Sequence, residues 1–258
     1  MRKLLPIKDE RGRPKGVDVA QFYELDSASY DKERFLSPQG IYTNRIRKEI
    51  ITGMVDCWQG KKILEVGTGT GILSIAVSMI GASVVSSDIT GGMLTVARER
   101  ALQAGASDSI SLVRMDAQSL AIKDATFDGC ICINVLNHVR EDKRVLKEIS
   151  RILKPGGFLI VNFPIVVSFY LPIALYVNLS QRSIQGDVYS KWFTFSHIKQ
   201  SFSDAGLRIR YTKGSITFPR GKTPQPFVIL LRTLDRAVRH SLLKYISGNM
   251  FIKAVKVI

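Results

Sequence analysis

Cysteine is scarce in this chain: Cys57, Cys130 and Cys132 are the only three in 258 residues. They lack metal-ligand spacing, which excludes a cysteine-built metal centre and suits a reducing cytosol. Cys130 and Cys132 stand two apart in an apolar strand pattern, so both are expected as buried thiols on one face. Acidic residues are also few, 22 against 37 basic ones, for a net charge of +15. That excess leaves nucleic acid, an anionic membrane surface or a phosphorylated substrate open as partners, beside plain solubility. The opening stretch MRKLLPIKDERGRPKG lacks an apolar h-region. A secretory signal is therefore not expected, and the expected location is the cytoplasm. Also missing are a Ser/His/Asp set, a paired-carboxylate site and a zinc cluster, so no metal is expected. Charge vanishes from Phe158 to Leu179, a run of 22 residues. Such a run is long enough to span a bilayer. Pro164 and Pro172 interrupt any helix there, so it reads as a strand followed by an apolar insertion from Ile165.

What is present suits a globular protein: 45% hydrophobic and 23% charged residues, enough to bury a core in one α/β domain with appended elements. The most informative stretch is KKILEVGTGTGILSIAVSMIGASVVSSD, from Lys61 to Asp88. Lys62 to Val66 predicts a buried strand. Gly67, Gly69 and Gly71 follow at alternate positions. Ile72 to Ile80 predicts a helix with Ile72, Ile75, Ala76 and Met79 on one face, and Ser83 to Ser87 a second strand ending at Asp88. Glycine permits positive φ and lets a ligand lie against the backbone. An acid at the second strand's tip can accept both hydroxyls of a ribose. The spacing is G-x-G-x-G, and Glu65 stands two residues before the first glycine. Its carboxylate suits a cationic ligand and repels a pyrophosphate.

ILEVGTGTG followed by SSD resembles motif I and the acid after it in class I S-adenosylmethionine-dependent methyltransferases. The later segment RILKPGGFL, after an amphipathic helix of Val145, Leu146, Ile149, Ile152 and Leu153, is similar to a further signature of that family. Lys154–Gly157 is expected as a tight turn that binds nothing. Within the family the resemblance is to the small-molecule, quinone-biosynthesis type, with strong motifs over residues 40–160. It implies a Rossmann-like, mostly parallel seven-stranded sheet with helices on both faces and an antiparallel last strand between strands five and six. It implies S-adenosyl-L-methionine as cofactor, held by Glu65, Gly67, Thr68, Gly69, Gly71, Asp88, Ile89, Met93, Asp116, Ala117 and Asn134. In VRMDAQSL it implies that the Asp116 carboxylate accepts the adenine amino hydrogen while the Ala117 N–H donates to the ring. Tyr30 and Arg34 become part of a lid, with Arg34 meeting the methionine carboxylate. His138, near the expected cleft, is a candidate general base; a helix-capping or packing histidine is the alternative. Phe163, Phe169, Tyr170, Tyr176 and Trp192 are candidates for an aromatic acceptor pocket.

The remaining chain reads as follows. Residues 1–20 are a basic arm, expected to be mobile, and 21–59 a helical lid with a long helix from Gln39 to Trp58. The main domain runs over 60–258, with insertions at 164–195 and 217–248. Thr90 and Ser196 are expected helix caps. Pro224 to Ser247 predicts an amphipathic helix with Leu231, Leu234, Val238, Leu242 and Tyr245 on one face and Arg232, Arg236, Arg239 and Lys244 on another. That helix could dock on an anionic membrane or pack on the sheet. Strand four ends in INVLNHV, without the Asn/Asp-Pro-Pro-aromatic tetrapeptide of many nucleic-acid N-methyltransferases. The expected activity is methyl transfer to a small, lipophilic or aromatic acceptor, by a monomer or homodimer. An RNA-modifying or nucleic-acid-binding enzyme using the basic surface is the alternative.

Overall fold

The structure, a computed structural model, describes residues 18–168, 170–183, 186–216 and 225–257. The expected basic arm, apart from its last three residues, lies outside the described residues, as do Phe169 and 217–224 of the second insertion. Asp18 caps α1 (Val19–Asp26), its side chain accepting from the Gln21 N–H. Next come α2 (Tyr30–Phe35) and α3 (Pro38–Thr52), the latter capped by Ser37 and opened by a proline that needs no hydrogen-bond donor. The long helix thus ends six residues before Trp58. The indole N–H of Trp58 donates to the Thr52 carbonyl and closes the chain back on the helix end.

The sheet then begins: β1 (Lys62–Val66), α4 (Ile72–Ser78), β2 (Ser83–Asp88), α5 (Gly91–Gln103), β3 (Ile110–Arg114) and β4 (Phe127–Cys132). After these come α6 (Asp142–Ile152), β5 (Leu153–Pro164), α7 (Leu171–Ser180), the short pair β6 (Arg182–Ser183) and β7 (Gly186–Tyr189), and α8 (Phe195–Asp204). The chain closes with β8 (Leu207–Ile216), α9 (Gln225–His240) and β9 (Gly248–Lys256). Strand order in the seven-stranded sheet is β3-β2-β1-β4-β5-β9-β8. The first five strands are parallel, and β9 runs antiparallel between β5 and β8, as the resemblance implied. Strand order reverses at β1, so the loops after β1 and β4 open side by side at the carboxyl edge, where open α/β sheets bind ligands.

Apolar residues fill both faces of the central strands. Leu64, Val66, Cys130, Cys132, Leu159 and Val161 pack towards α6 and α8, and Ile63, Ile131 and Ile160 towards α3 and Trp58. Both strand cysteines are fully buried on one face, and burial pushes the Cys132 thiol up to about 12. Each fully buried aliphatic side chain contributes about 1.5–3 kcal/mol.

Several expectations change. In α4 the buried residues are Leu73, Ser74, Val77 and Ser78, while Met79 is exposed, because the helix lays its other stripe on the sheet. Lys154–Gly157 belongs to β5, and the bend there survives as a positive φ of 74° at Gly156 and a register shift against β4. Thr194 rather than Ser196 caps α8. Thr90 precedes α5 but gives it no side-chain cap, because its hydroxyl donates to Asp88 instead. The expected 24-residue helix splits into α9 and a 3-10 turn at Leu242–Ile246. Val238 is buried, but Leu234 and Leu242 are exposed; the side chains of Leu231 and Arg232 lie outside the described residues. A carboxylate, Asp235, holds α9 to the sheet. Fully buried, it accepts from the Ile216 N–H at 2.8 Å and the Ser215 hydroxyl at 3.1 Å, and pairs with Arg239 at 2.7 Å.

Candidate functional site

At the end of β1 the chain turns through Gly67 and Gly69, with φ of 70° and 54°. A Cβ at Gly67 would overlap Val135 Cγ2, so glycine there lets the β4 loop approach. A Cβ at Gly69 would meet nothing within 4 Å, so this backbone faces open space. Asp88, at the tip of β2, holds the loop in that shape. Its Oδ2 accepts from the Gly69 N–H at 2.9 Å, and its Oδ1 accepts from the Thr90 N–H and hydroxyl at 3.0 and 2.9 Å.

Glu65 is buried under the loop, with 2% exposure. Its Oε2 accepts from the Thr68 hydroxyl at 2.8 Å and from the Ser74 hydroxyl, which also meets Ser86. Burial outweighs these donors and raises its pKa from the ordinary 4.5 to about 7. Removing water from a carboxylate without a full counter-charge has this effect. Glu65 therefore stands ready for a cation.

The helical segment closes over the same loop. Asp31 of α2 accepts from the Thr70 hydroxyl at 2.8 Å and pairs with Arg100 of α5. Arg100 also donates to the Thr70 carbonyl at 3.0 Å. Glu24 of α1 accepts from the Gly92 N–H at 2.9 Å, at the start of α5. Arg34 is committed elsewhere: it forms an ion pair with Asp26 at 2.6 Å, both side chains buried, and lies 4.0 Å over the Tyr30 ring. It is not available to a ligand carboxylate as the family resemblance had implied. Arg47 of α3 is. Its guanidinium sits 5.8 Å over the Phe35 ring and feels both Tyr30 and Glu65, while burial lowers its pKa. Among the described residues no hydrogen bond or ion pair takes it up.

The other predicted residues scatter. Asp116 is exposed and turns the chain after β3, its Oδ1 accepting from the Gln118 N–H at 2.8 Å. Ala117 is half-buried beside it. Ile89 is 38% exposed, while Met93 is buried on the inner side of α5. Asn134 has a φ of 58°, and its N–H donates to Asn162 Oδ1 at 2.6 Å. The Asn162 amide in turn donates to Asn134 and Asn249, joining the tips of β4, β5 and β9. His138 contacts Tyr23 of α1 and the Tyr189 carbonyl. Phe163 is a core residue packed on Phe193 and Phe202, not the lining of an open pocket, because it falls on the α8 side of β5. Tyr170 is half-buried against Gly248, and Trp192 is tied through its backbone to Asn178. Tyr176 is exposed.

Sequence reasoning missed Arg47, Tyr23, Asp31 and Arg100. For Arg47 a signal existed: it stands one turn from Ile50 and Ile51, a cation on a buried stripe.

A family model described as a methyltransferase domain matches residues 64–161. A ubiquinone biosynthesis O-methyltransferase from Leptothrix cholodnii is 31% identical over 204 residues, covering 76% of this chain and 85% of that protein. A ubiquinone/menaquinone biosynthesis C-methyltransferase from Pectobacterium carotovorum is 33% identical, covering 68% of this chain and 66% of that protein. For other curated relatives, such as one from Idiomarina loihiensis, the match spans 61% of their length. Among solved structures, magnesium protoporphyrin IX methyltransferase from Synechocystis, with bound S-adenosylhomocysteine, superposes with a TM-score of 0.64. Its identity is 17%, with 92% of this chain and 98% of that chain covered, so it shows the fold alone. Sequence relatives and fold together lead to one statement: the chain belongs to the class I S-adenosylmethionine-dependent methyltransferases.

Proposed function

We propose that this chain transfers a methyl group from S-adenosylmethionine to a small, lipophilic acceptor of the quinone-precursor type, while resting on an anionic membrane surface. The observation that carries the cofactor reading is a pair of opposite charges beside bare backbone. Glu65, under the glycine loop, is a raised-pKa carboxylate, and Arg47, within electrostatic range of it, is a guanidinium with no hydrogen bond or ion pair among the described residues. The cofactor's amino-acid end carries a carboxylate, an ammonium and a sulfonium. Arg47 would hold the first and Glu65 the cationic side. Gly67, Thr68, Gly69 and Gly71 would lie against the ligand. Asp88, with one lone pair of Oδ2 still free of protein donors, would take a ribose hydroxyl. Ile89, Asp116, Ala117 and Asn134 would border the nucleoside, and Met93 would support it from beneath. Bound there, the cofactor supplies an electrophilic methyl group; the chain's part is to hold acceptor and donor close and in line.

The acceptor class rests on the relatives' names and on α7. This helix follows β5 at the carboxyl edge and exposes Leu171, Ile173, Leu175, Tyr176 and Leu179. No charge interrupts it, and the chain carries +15 overall. Among the described residues no helix is long and apolar enough to cross a membrane, so contact would be peripheral. Helices α1–α3 (Val19–Thr52) would act as the lid.

Isothermal calorimetry with S-adenosylhomocysteine and, separately, NAD tests the cofactor. The expected result is a Kd on the order of 10⁻⁶ M, about −8 kcal/mol, for the first and no uptake of the second. Binding of NAD alone would sink the reading. The acceptor would emerge from mass spectrometry of a source-cell extract fed labelled cofactor, as a lipid-soluble species heavier by one methyl group in place of hydrogen.

A further inference from the structure

We infer that the outer edge of β8 receives an extended, acidic segment of another protein, which joins the sheet as one more strand. The inference is independent of the cofactor reading: β8 stands four strands from β1, roughly 19 Å at ordinary strand spacing. It ends the sheet, with β9 on one side and, among the described residues, no strand on the other. Nor does any backbone hydrogen bond besides the β9 ladder reach residues 208–212 among the described residues. Their outward N–H and C=O groups therefore lack protein partners, and an edge of this kind is a template for a further strand. A groove of about 720 Å³ runs along it, walled by α8 and the 3-10 turn Leu242–Ile246.

Charge selects the occupant. Lys199 of α8, Arg208 and Arg210 of β8 and Lys244 of the turn line the groove, and among the described residues no acid does. The acid of α8, Asp204, is taken by Lys143 of α6 at 3.0 Å and by Gln200. None of the four cationic side chains has an ion pair or hydrogen bond among the described residues. Two of them lie on aromatic rings: Lys199 Nζ is 4.8 Å from the Phe195 ring centre and Lys244 Nζ 5.3 Å from that of Tyr245. Those rings meet edge-on at 5.2 Å, giving the groove apolar surface beside its cations. The ladder slips at Arg210, since Ile209 faces Ala254 and Tyr211 faces Lys253. A slip and two arginines keep an edge from joining another basic edge. They attract an acidic one.

Other occupants fit less well. A second copy would bring the same arginines against these. The chain's own residues 1–17 carry six basic side chains against two acidic ones, so they too are repelled. A nucleic acid or a lipid headgroup would satisfy the cations, but its phosphate oxygens would face the strand's carbonyl oxygens. Only a peptide offers acceptors for the N–H groups and donors for the C=O groups in alternation. Successive side chains of such a strand point to opposite faces, so acids at alternate positions can stand on the cationic side together. Five residues of edge span roughly 17 Å of partner chain.

The test uses the full chain, labelled with ¹⁵N, and two fluorescent probe peptides: four Glu-Val repeats, and the same peptide methylated at every backbone nitrogen. The first should bind, read by anisotropy, and should slow amide exchange within residues 208–212, read by NMR. The methylated peptide keeps the charge and loses the donors, so it should bind more than about tenfold more weakly. Lys199→Glu with Arg208→Glu should lower affinity for the Glu-Val peptide more than about tenfold. Circular dichroism and the melting temperature show that this variant folds, and Lys199→Gln with Arg208→Gln carries the same comparison should it not. A uridine oligonucleotide and phosphatidylglycerol vesicles are the competing arms. No binding of the Glu-Val peptide, equal binding of its methylated form, or unchanged affinity in the folded variants would each overturn the inference. Slowed exchange at 208–212 by the oligonucleotide or the vesicles and not by the peptide would do the same.

Discussion

Glu65 shows most directly how one side chain couples fold and ligand. Its folded pKa, about 7, lies above the ordinary 4.5, so the folded chain holds this proton where the unfolded chain releases it. The stabilising share is full below pH 4.5 and is lost as pH rises through 7. Glu65→Gln should raise the melting temperature of the ligand-free chain at pH 8, where the native carboxylate is charged and buried. The ammonium of a bound amino-acid end reverses the preference by favouring the ionised form. Affinity for S-adenosylhomocysteine should therefore fall as pH drops below about 7 in the native chain and lose that dependence in Glu65→Gln. Pairs of calorimetric titrations at pH 6 and pH 8 decide it. Asp88→Ala should weaken the same ligand by about 1–3 kcal/mol, since it removes an acceptor and frees the Gly69 N–H. Unchanged affinity would refute the ribose assignment. Glu65 and Asp88 were legible because their places are fixed by distance along one strand–turn–strand unit. Arg34 and Arg47 were not: both are arginines on predicted helices, and only packing tells which one Asp26 takes.

At the scale of elements, periodicity located the strands well and the buried faces of helices less well. In α9 the leucine stripe promised a buried face, yet Leu234 and Leu242 are exposed and Asp235 lies inside. The edge strand β8 decides this, because its Ile216 N–H and Ser215 hydroxyl need an acceptor that only a polar residue supplies. Asp235→Ala leaves Arg239 and those donors without their partner. It should cost about 3–5 kcal/mol of stability, read as a lower denaturation midpoint in urea. A change below 1 kcal/mol would show that α9 is held by its apolar contacts instead. In the segment Phe158–Leu179 Pro164 marks the end of the strand, whereas Pro172, expected to interrupt a helix, stands in the first turn of α7. What the insertion covers was not readable, since Phe163 points into the core and Tyr176 to solvent within one uncharged run.

Taken whole, the molecule joins the proposed cofactor site to a chain of net charge +15. An uncharged, outward-facing α7 on a chain of net charge +15 suits a surface that is apolar within and anionic at its boundary. The chain should co-sediment with phosphatidylglycerol vesicles, release as salt screens the charge, and ignore phosphatidylcholine vesicles. Leu175→Glu with Leu179→Glu should abolish sedimentation and leave affinity for S-adenosylhomocysteine intact. Equal sedimentation with both lipids, or none with either, would remove the membrane from the proposal. A salt-titrated RNA-binding assay on the same preparation tests the competing use of the basic surface.

The sequence alone determined the strand–turn–helix–strand crossover and the carboxylates at its strand tips, while the order of the central strands came with the family resemblance. The crossover and its carboxylates are set by residues close along the chain, and glycine spacing with strand alternation encodes such contacts; pairings such as Ile63 with Gly129 are not encoded that way. Tertiary structure alone decided which arginine has no ion-pair partner among the described residues, which groups His138 meets and which face of α9 is buried. Each of these depends on groups brought together from distant parts of the chain, Asp26 with Arg34, Tyr23 with His138 and Tyr189, Ser215 with Asp235, and no local pattern records a partner so far away.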